Sequence, residues 1–109
     1  MRIVKLFYST QAKGQLRKIH AFISKDSPKS VKTVVAAIRN AAKMLAKSPG
    51  LAHLGKLSGT FEWVVGRQPY IIVFKIYPHD PETGELNETL AIVALYHGAQ
   101  NRPATRYDP

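Results

Sequence analysis

Two consecutive helical patterns, separated by a three-residue break, constrain the fold of this 109-residue chain most strongly. The first pattern follows Ser9 or Thr10, either of which suits a helix N-cap, and repeats apolar side chains every three to four residues. Asp26, Ser27 and Pro28 then mark a boundary, because proline is favoured at the first position of a new helix. Two helices joined by so short a link must be antiparallel neighbours.

The second helical pattern runs from Pro28 to about Lys47, where Ser48, Pro49 and Gly50 end it. Its apolar residues share one face: Val31, Val34, Val35, Ile38, Ala42 and Leu45. A separate face carries a row of basic residues: Lys32, Arg39, Lys43 and Lys47. The pattern therefore predicts a helix that packs one side on a core and presents a basic stripe on another.

Four runs rich in β-branched and aromatic residues surround the helical hairpin, at residues 2–8, 61–65, 70–77 and 89–96. Such runs predict strands. Residues 66–69 form a turn between the second and third runs, and the glycine-rich stretch 50–60 predicts an irregular loop. The order is β-α-α-β-β-β. We therefore predict an α+β fold, with a helical hairpin packed on one face of a small, mostly antiparallel sheet. The length predicts one domain over residues 1–109, with a tail from about residue 98.

Positive charge is concentrated in the first half of the chain. Residues 1–60 hold twelve Lys and Arg and a single acid, Asp26, whereas residues 61–109 hold four basic and six acidic residues. The net charge of +9 attracts a polyanion or an acidic partner protein without specifying which. A solvated lysine-rich surface is the plainer alternative.

Several classes of protein are disfavoured by residues that the chain lacks or scatters. It has no cysteine, which excludes disulfides and cysteine zinc sites and is consistent with a reducing cytosol. Its four histidines are isolated, and no nucleotide-binding or nucleophile motif occurs, so we expect neither metal nor cofactor. The N-terminal run predicts neither a signal peptide nor a membrane span. A nucleic-acid-binding module is also disfavoured, because the aromatics around residues 61–74 fit a strand core better than a stacking platform.

Metal-independent RNA cleavage is one chemistry that the composition allows. It requires cationic side chains that converge on the phosphodiester and a Tyr or His for proton transfer. The candidates are Lys56, Arg67, Arg102, Arg106, Tyr107 and His97. For each of them the alternative is an ordinary solvated side chain.

An ordered set of motifs resembles the RelE/ParE superfamily of toxins from type II toxin–antitoxin systems. The rhythm of the family's first helix is matched by Ala12, Leu16, Ile19, Phe22 and Ile23. The start and end of its second helix are matched by Ser27, Pro28, Leu45, Pro49 and Gly50. The segments PYIIVFKI and ALYHGAQNRP resemble the family's central and last strands. The resemblance covers about residues 3–103.

The resemblance implies a cytoplasmic toxin, without membrane contact, that a cognate antitoxin of the ParD or a similar kind neutralises in a hetero-oligomer. The antitoxin's C-terminal segment would wrap over the toxin, and its N-terminal domain would bind operator DNA, which the toxin would reach only through it. Antitoxin contacts are expected along the hairpin, where acids would pair with the basic stripe. The expected antitoxin contacts are Leu16, Ile19, Lys32, Arg39 and Lys43.

The superfamily's two branches imply different targets. RelE-like members cut ribosome-bound mRNA with Lys and Arg residues and usually a C-terminal Tyr or His, whereas ParE-like members are associated with inhibition of DNA gyrase. Gln100 occupies the place of a frequent arginine in the last motif, and Ile71 that of an arginine after Tyr70. A neutral amide cannot stabilise the charge of a phosphorane, so these departures favour the ParE-like branch, a binding inhibitor with no catalytic site.

Both branches assign roles to the same basic residues. In a gyrase inhibitor the target contacts would be Lys56, Arg67, Arg102 and Arg106. In the alternative, a ribosome-dependent mRNA endonuclease, Lys56, Arg67 and Arg102 would position phosphate. Tyr107 or His97 would then transfer protons.

Overall fold

Residues 4–98 are described by the computed structural model, and they form two helices and a five-stranded sheet. In chain order the elements are β1 (Lys5–Tyr8), α1 (Thr10–Asp26), α2 (Pro28–Lys47), a 3-10 turn (Pro49–Leu51), β2 (His53–Leu54), β3 (Phe61–Val64), β4 (Tyr70–Tyr77) and β5 (Thr89–His97). The strand order in the sheet is β1-β5-β4-β3-β2, with β1 parallel to β5 and every other pair antiparallel. The α+β class, the helical hairpin and the mostly antiparallel sheet are thereby confirmed.

The short strand β2 is the one strand of the described residues that the sequence did not predict. The expectation of an irregular loop over residues 50–60 was wrong at His53 and Leu54, which pair with Glu62 and Phe61. The backbone N–H of Gly55 donates to the carbonyl of Thr60 at 2.8 Å, which closes a turn and brings these residues into register with β3. A two-residue strand carries too little alternation to give a sequence signal.

The start of α1 is tied directly to β5. The Ser9 hydroxyl is the N-cap: it accepts the N–H of Ala12 at 3.0 Å and donates to the carbonyl of Val93 at 3.2 Å. The carbonyl of Val93 is available because a register shift against Val73 and Phe74 leaves Val93 without a partner residue on β4. Three residues after Ala12, the side chain of Gln15 makes a second link to β5 by accepting the N–H of Leu95 at 2.7 Å. The bulge in β5 therefore sets where the first helix begins.

The main core lies between the hairpin and one face of the sheet. Its fully buried side chains include Ile38, Leu45, Ile72, Phe74, Leu90 and Ile92. Phe61 stacks on Phe74 with ring centroids 5.5 Å apart. The aromatics expected in the strand core, among them Trp63 and Tyr70, pack in this cluster as predicted. Val35 differs from the rest of the predicted apolar face of α2, because it is only half-buried.

A buried carboxylate fastens the β4–β5 connection to the edge strand β1. Asp80 is completely buried and accepts a hydrogen bond from the Lys5 ammonium group and another, at 2.8 Å, from the N–H of Glu82. These two donors hold the pKa of Asp80 below its usual value. The hydrogen bond from Lys5 to Asp80 likewise raises the pKa of the lysine. The connection between these strands is thus an ordered turn with its own internal anchor.

Replacing Asp80 by asparagine should lower stability most at neutral pH. A carboxyl whose pKa is depressed by folding stabilises the protein above its unfolded pKa of about 4, and that contribution is lost as the pH falls through the folded value. Urea-unfolding midpoints at pH 7 and pH 3 should therefore differ less in Asp80→Asn than in the wild type. Glu85→Gln, which is exposed in the same connection, is the control. If Asp80→Asn had the same urea midpoint as the wild type at pH 7, the ionised Asp80 carboxylate would not stabilise the fold as described.

Candidate functional site

A groove runs between α1 and α2. The part of it that α1 and α2 line together has a volume of about 450 Å³. We call it the helical groove, and its lining residues are Tyr8, Lys13, Leu16, Arg17, His20, Val35 and Arg39. The helical groove thus combines apolar and cationic side chains on one concave surface.

Helical spacing explains why these side chains meet. Lys13, Leu16 and His20 are three and four residues apart on α1, so they share one side of that helix. Val35 and Arg39 are four residues apart on α2 and face them. The half-buried Leu16 and Val35 supply an apolar floor, and the exposed cations line the sides of the groove. The groove is therefore suited to an amphipathic segment and not to a purely polar ligand.

The charge around the groove is unbalanced. The two helices carry nine Lys and Arg side chains against one acid, Asp26, at the C-terminal end of α1. Within residues 4–98 none of these nine cations forms an ion pair. Burial raises the pKa of Tyr8 above its usual value, and the nearby Arg39 cation partly offsets that rise. The surroundings of the helical groove thus keep a positive potential, which favours an anionic partner.

The residues expected to contact an antitoxin are distributed over two surfaces. Leu16 and Arg39 line the helical groove. Lys32 and Lys43 are exposed on the same side of α2 as Arg39, seven and four residues away from it, and lengthen the row of cations. Ile19 lies elsewhere, in a second cleft. Lys13, Arg17 and His20 also line the groove and were not among the expected residues, although their spacing from Leu16 along α1 was a usable signal.

The second cleft lies at the junction of α1 with the sheet. Ile19 lines it together with Lys18, Phe22, Tyr70 and His97. The rings of Tyr70 and His97 meet edge to face at 5.5 Å, and burial raises the pKa of Tyr70. This ring contact places His97 at the end of β5, next to the beginning of β4.

The candidate catalytic and target-binding residues do not gather at one point within the described part of the chain. Lys56 lies in the turn before β3, where its N–H donates to the Glu62 carboxylate at 3.1 Å. Arg67 lies in the turn after β3, so a strand length of roughly 15 Å separates the two positions. His97 shares the sheet end of Arg67, because it pairs with Tyr70. Arg102, Arg106 and Tyr107, together with Gln100, lie outside the described residues.

Two further properties concern residues 4–98 alone. No group of three or more His, Cys, Asp or Glu side chains there is arranged to hold a metal ion. No helix in that part of the chain is long and apolar enough to cross a membrane.

A hairpin of two helices over a mixed five-stranded sheet defines a class of small α+β proteins. Comparison of the sequence with family models identifies the family within this class. Residues 6–102 match the family described as ParE toxin of the type II toxin–antitoxin system parDE. The chain therefore belongs to the ParE toxin family, within the RelE/ParE superfamily expected from its motifs.

One curated relative is similar in sequence, and two solved structures share the fold. The relative is a Sinorhizobium fredii protein named "Putative toxin Y4kP", 35% identical over 72 residues, which span 66% of this chain and 75% of the relative. The structure titled "Chromosomal ParDE TA system from P. aeruginosa" aligns over 87% of this chain and 96% of its own, with a TM-score of 0.73 and 14% identity. A chain of the toxin–antitoxin complex RelBE2 from Mycobacterium tuberculosis aligns over 88% and 99%, with a TM-score of 0.55 and 21% identity. At these identities the two structures establish the common fold.

Proposed function

We propose that this toxin arrests growth in the cytoplasm by binding DNA gyrase, without a catalytic site of its own, and that a cognate antitoxin neutralises it. The observation that carries the choice of target is the separation of Lys56 from Arg67 by the length of β3. A ribonuclease would need such cations close together, around one phosphate. Ile71, a half-buried residue of β4 that offers no charge where RelE-like members commonly have arginine, supports the same choice.

The helical groove is the proposed seat of the antitoxin. An amphipathic segment would place an apolar side chain on the floor formed by Leu16 and Val35, while its carboxylates face Lys13, Arg17 and Arg39. Complementary charge of this kind speeds encounter and selects the partner, and burial of the apolar side chain adds affinity. The antitoxin, and not the toxin, would bring the complex to operator DNA.

Purified toxin should inhibit the supercoiling of relaxed plasmid by DNA gyrase at toxin concentrations comparable with that of the enzyme. Addition of the antitoxin in equal amount should restore supercoiling, because the toxin is then withdrawn from its target. Ribosome-bound mRNA should stay intact under the same conditions, which serves as the parallel measurement.

The alternative function, mRNA cleavage on the ribosome, is favoured by one feature of the structure. Arg67 and His97 lie at the same end of the sheet, so a cation and a candidate proton-transfer group share that end. Cleavage of ribosome-bound mRNA by toxin that leaves supercoiling unchanged would establish this alternative and refute the gyrase proposal.

A further inference from the structure

An exposed apolar rim marks the sheet edge formed by β2 and β3. Three large apolar side chains of this region are open to solvent: Leu51, Leu54 and Val64. Leu54 is 83% exposed although it belongs to a strand, and Val64 is 52% exposed. Apolar side chains left in solvent at a sheet edge are unusual, because natural edges are commonly protected by charge or by a covering segment.

The backbone of this edge is also open. Strand β2 pairs only with Phe61 and Glu62, so the second half of β3 extends beyond it. The N–H of Val65 donates to the carbonyl of Tyr70 at 2.9 Å, so the backbone polar groups of Val65 point towards β4. Successive residues of a strand point their N–H and C=O groups to opposite sides. The N–H and C=O of Val64 therefore point away from β4. Within the described residues neither group has a hydrogen-bond partner.

The rim residues lie on both faces of the edge. Leu54 pairs with Phe61, whose side chain joins the core under the helices, whereas Val64 is offset from Phe61 by three positions and faces the other side of the sheet. An extended segment that pairs with the outward N–H and C=O of Val64 would lie in the row of β2 and cover Val64 directly, and a side chain at its end would reach the exposed Leu54. This geometry fits an extended segment and not a helix.

Charge narrows the kind of segment that fits. Lys56 is exposed before β3 and Arg67 is exposed after it, so a cation stands at each end of the rim. A second copy of this chain would meet the same charges and a net charge of +9, which opposes pairing of two copies. The apolar side chains between the cations favour a protein over a nucleic acid.

We propose that this edge binds the inhibited protein by strand addition, taking an extended segment with an apolar middle and an acidic residue towards each end. The identity of that protein as gyrase rests on the proposed function. The groove and the edge are separate surfaces, because Tyr8 of the groove belongs to β1, at the opposite edge of the sheet from β2. Lys56 and Arg67, which lie at opposite ends of the rim, would each contact one of these acidic residues. Strand addition combines main-chain hydrogen bonds with contacts to alternate side chains.

Two variants test the edge, one through its side chains and one through its backbone. Leu54→Glu places a charge on the rim, and Val64→Pro removes an outward N–H that β4 does not use. Each should raise the toxin concentration needed for half-inhibition of gyrase supercoiling by about tenfold or more. Leu86→Glu is the matched control, because Leu86 is 93% exposed in the β4–β5 connection, away from the rim. Its inhibitory concentration should equal that of the wild type.

The outcomes separate this proposal from the proposed function. Wild-type potency of Leu54→Glu overturns the edge proposal, and it does so even if Val64→Pro does not fold. Loss of antitoxin binding by Leu54→Glu would also overturn it, by assigning the rim to the antitoxin. If the wild type leaves supercoiling unchanged, gyrase is the wrong target, and growth arrest becomes the readout. Loss of growth arrest in Leu54→Glu but not Leu86→Glu then supports the edge.

Discussion

Replacing Lys13 and Arg39 together by glutamate should weaken binding of the antitoxin by about a hundredfold. The two cations stand on opposite walls of the helical groove and have no ion-pair partner within residues 4–98. Reversing both charges would replace the attraction between the groove and a bound carboxylate with repulsion. A hundredfold loss corresponds to about 2.7 kcal/mol, within the range expected for close charge pairs at an interface. Titration calorimetry with the purified antitoxin measures the loss directly.

A second pair of reversals separates groove binding from general charge attraction. Lys25→Glu with Lys29→Glu changes the net charge equally but lies at the link between the helices, outside the lining of the groove. These exposed residues should change the affinity only slightly, mainly through the association rate. Equal losses from both pairs would mean that the hairpin attracts the antitoxin only through its overall field. Inhibition of gyrase by either variant should persist, because none of the four substituted residues belongs to the proposed target edge on β2 and β3.

Replacing Gly55 by alanine should destabilise the protein by about 1–3 kcal/mol, the usual range for forcing an extra carbon into a packed site. An added Cβ would overlap the Thr60 hydroxyl and would lie 3.1 Å from the carbonyl carbon of the same residue. Thr60 cannot move aside easily, since it is buried and its hydroxyl donates to the carbonyl of Leu57 at 2.6 Å. The free energy of unfolding in urea provides the measurement.

Gly50→Ala is the control for this substitution. Gly50 lies in the 3-10 turn that precedes β2, and a Cβ there would meet no atom within 4 Å. Its stability should match that of the wild type or exceed it slightly, because alanine restricts the unfolded chain more than glycine does. Equal effects at the two positions would contradict the account of how β2 is formed. The same substitution at Gly55 should also reduce inhibition of gyrase, because β2 carries Leu54 of the proposed edge.

Long elements with a regular apolar pattern were predictable from the sequence, whereas the two-residue strand β2 was not. Helix α2 begins at Pro28 and ends at Lys47, and β4 spans Tyr70–Tyr77, as the residue pattern indicates. Both carry enough repeats of their apolar period for the pattern to be unambiguous. Strand β2 has only two residues and exists because a turn around Gly55 and Thr60 holds it against β3. No local pattern encodes such a pairing.

The candidate sites divide in the same way. The sequence predicted a basic hairpin and named Leu16 and Arg39, which line the groove, because charged and apolar residues recur on helix faces at fixed intervals. It could not predict that Lys13 and Arg17 of α1 face Val35 and Arg39 of α2, since that depends on how the two helices pack. It also placed Lys56 and Arg67 in one list of candidates, although β3 holds them apart.

Local order was therefore encoded in the sequence itself: two amphipathic helices, their antiparallel hairpin, and a charge concentrated in the first half of the chain. Tertiary contacts were needed for the parallel pairing of β1 with β5, for the cation-rimmed groove and for the open edge beside Val64. The physical reason is the range of the interactions. Helical periodicity and capping act within a few residues, whereas strand pairing and the meeting of two helix faces join positions far apart in the chain.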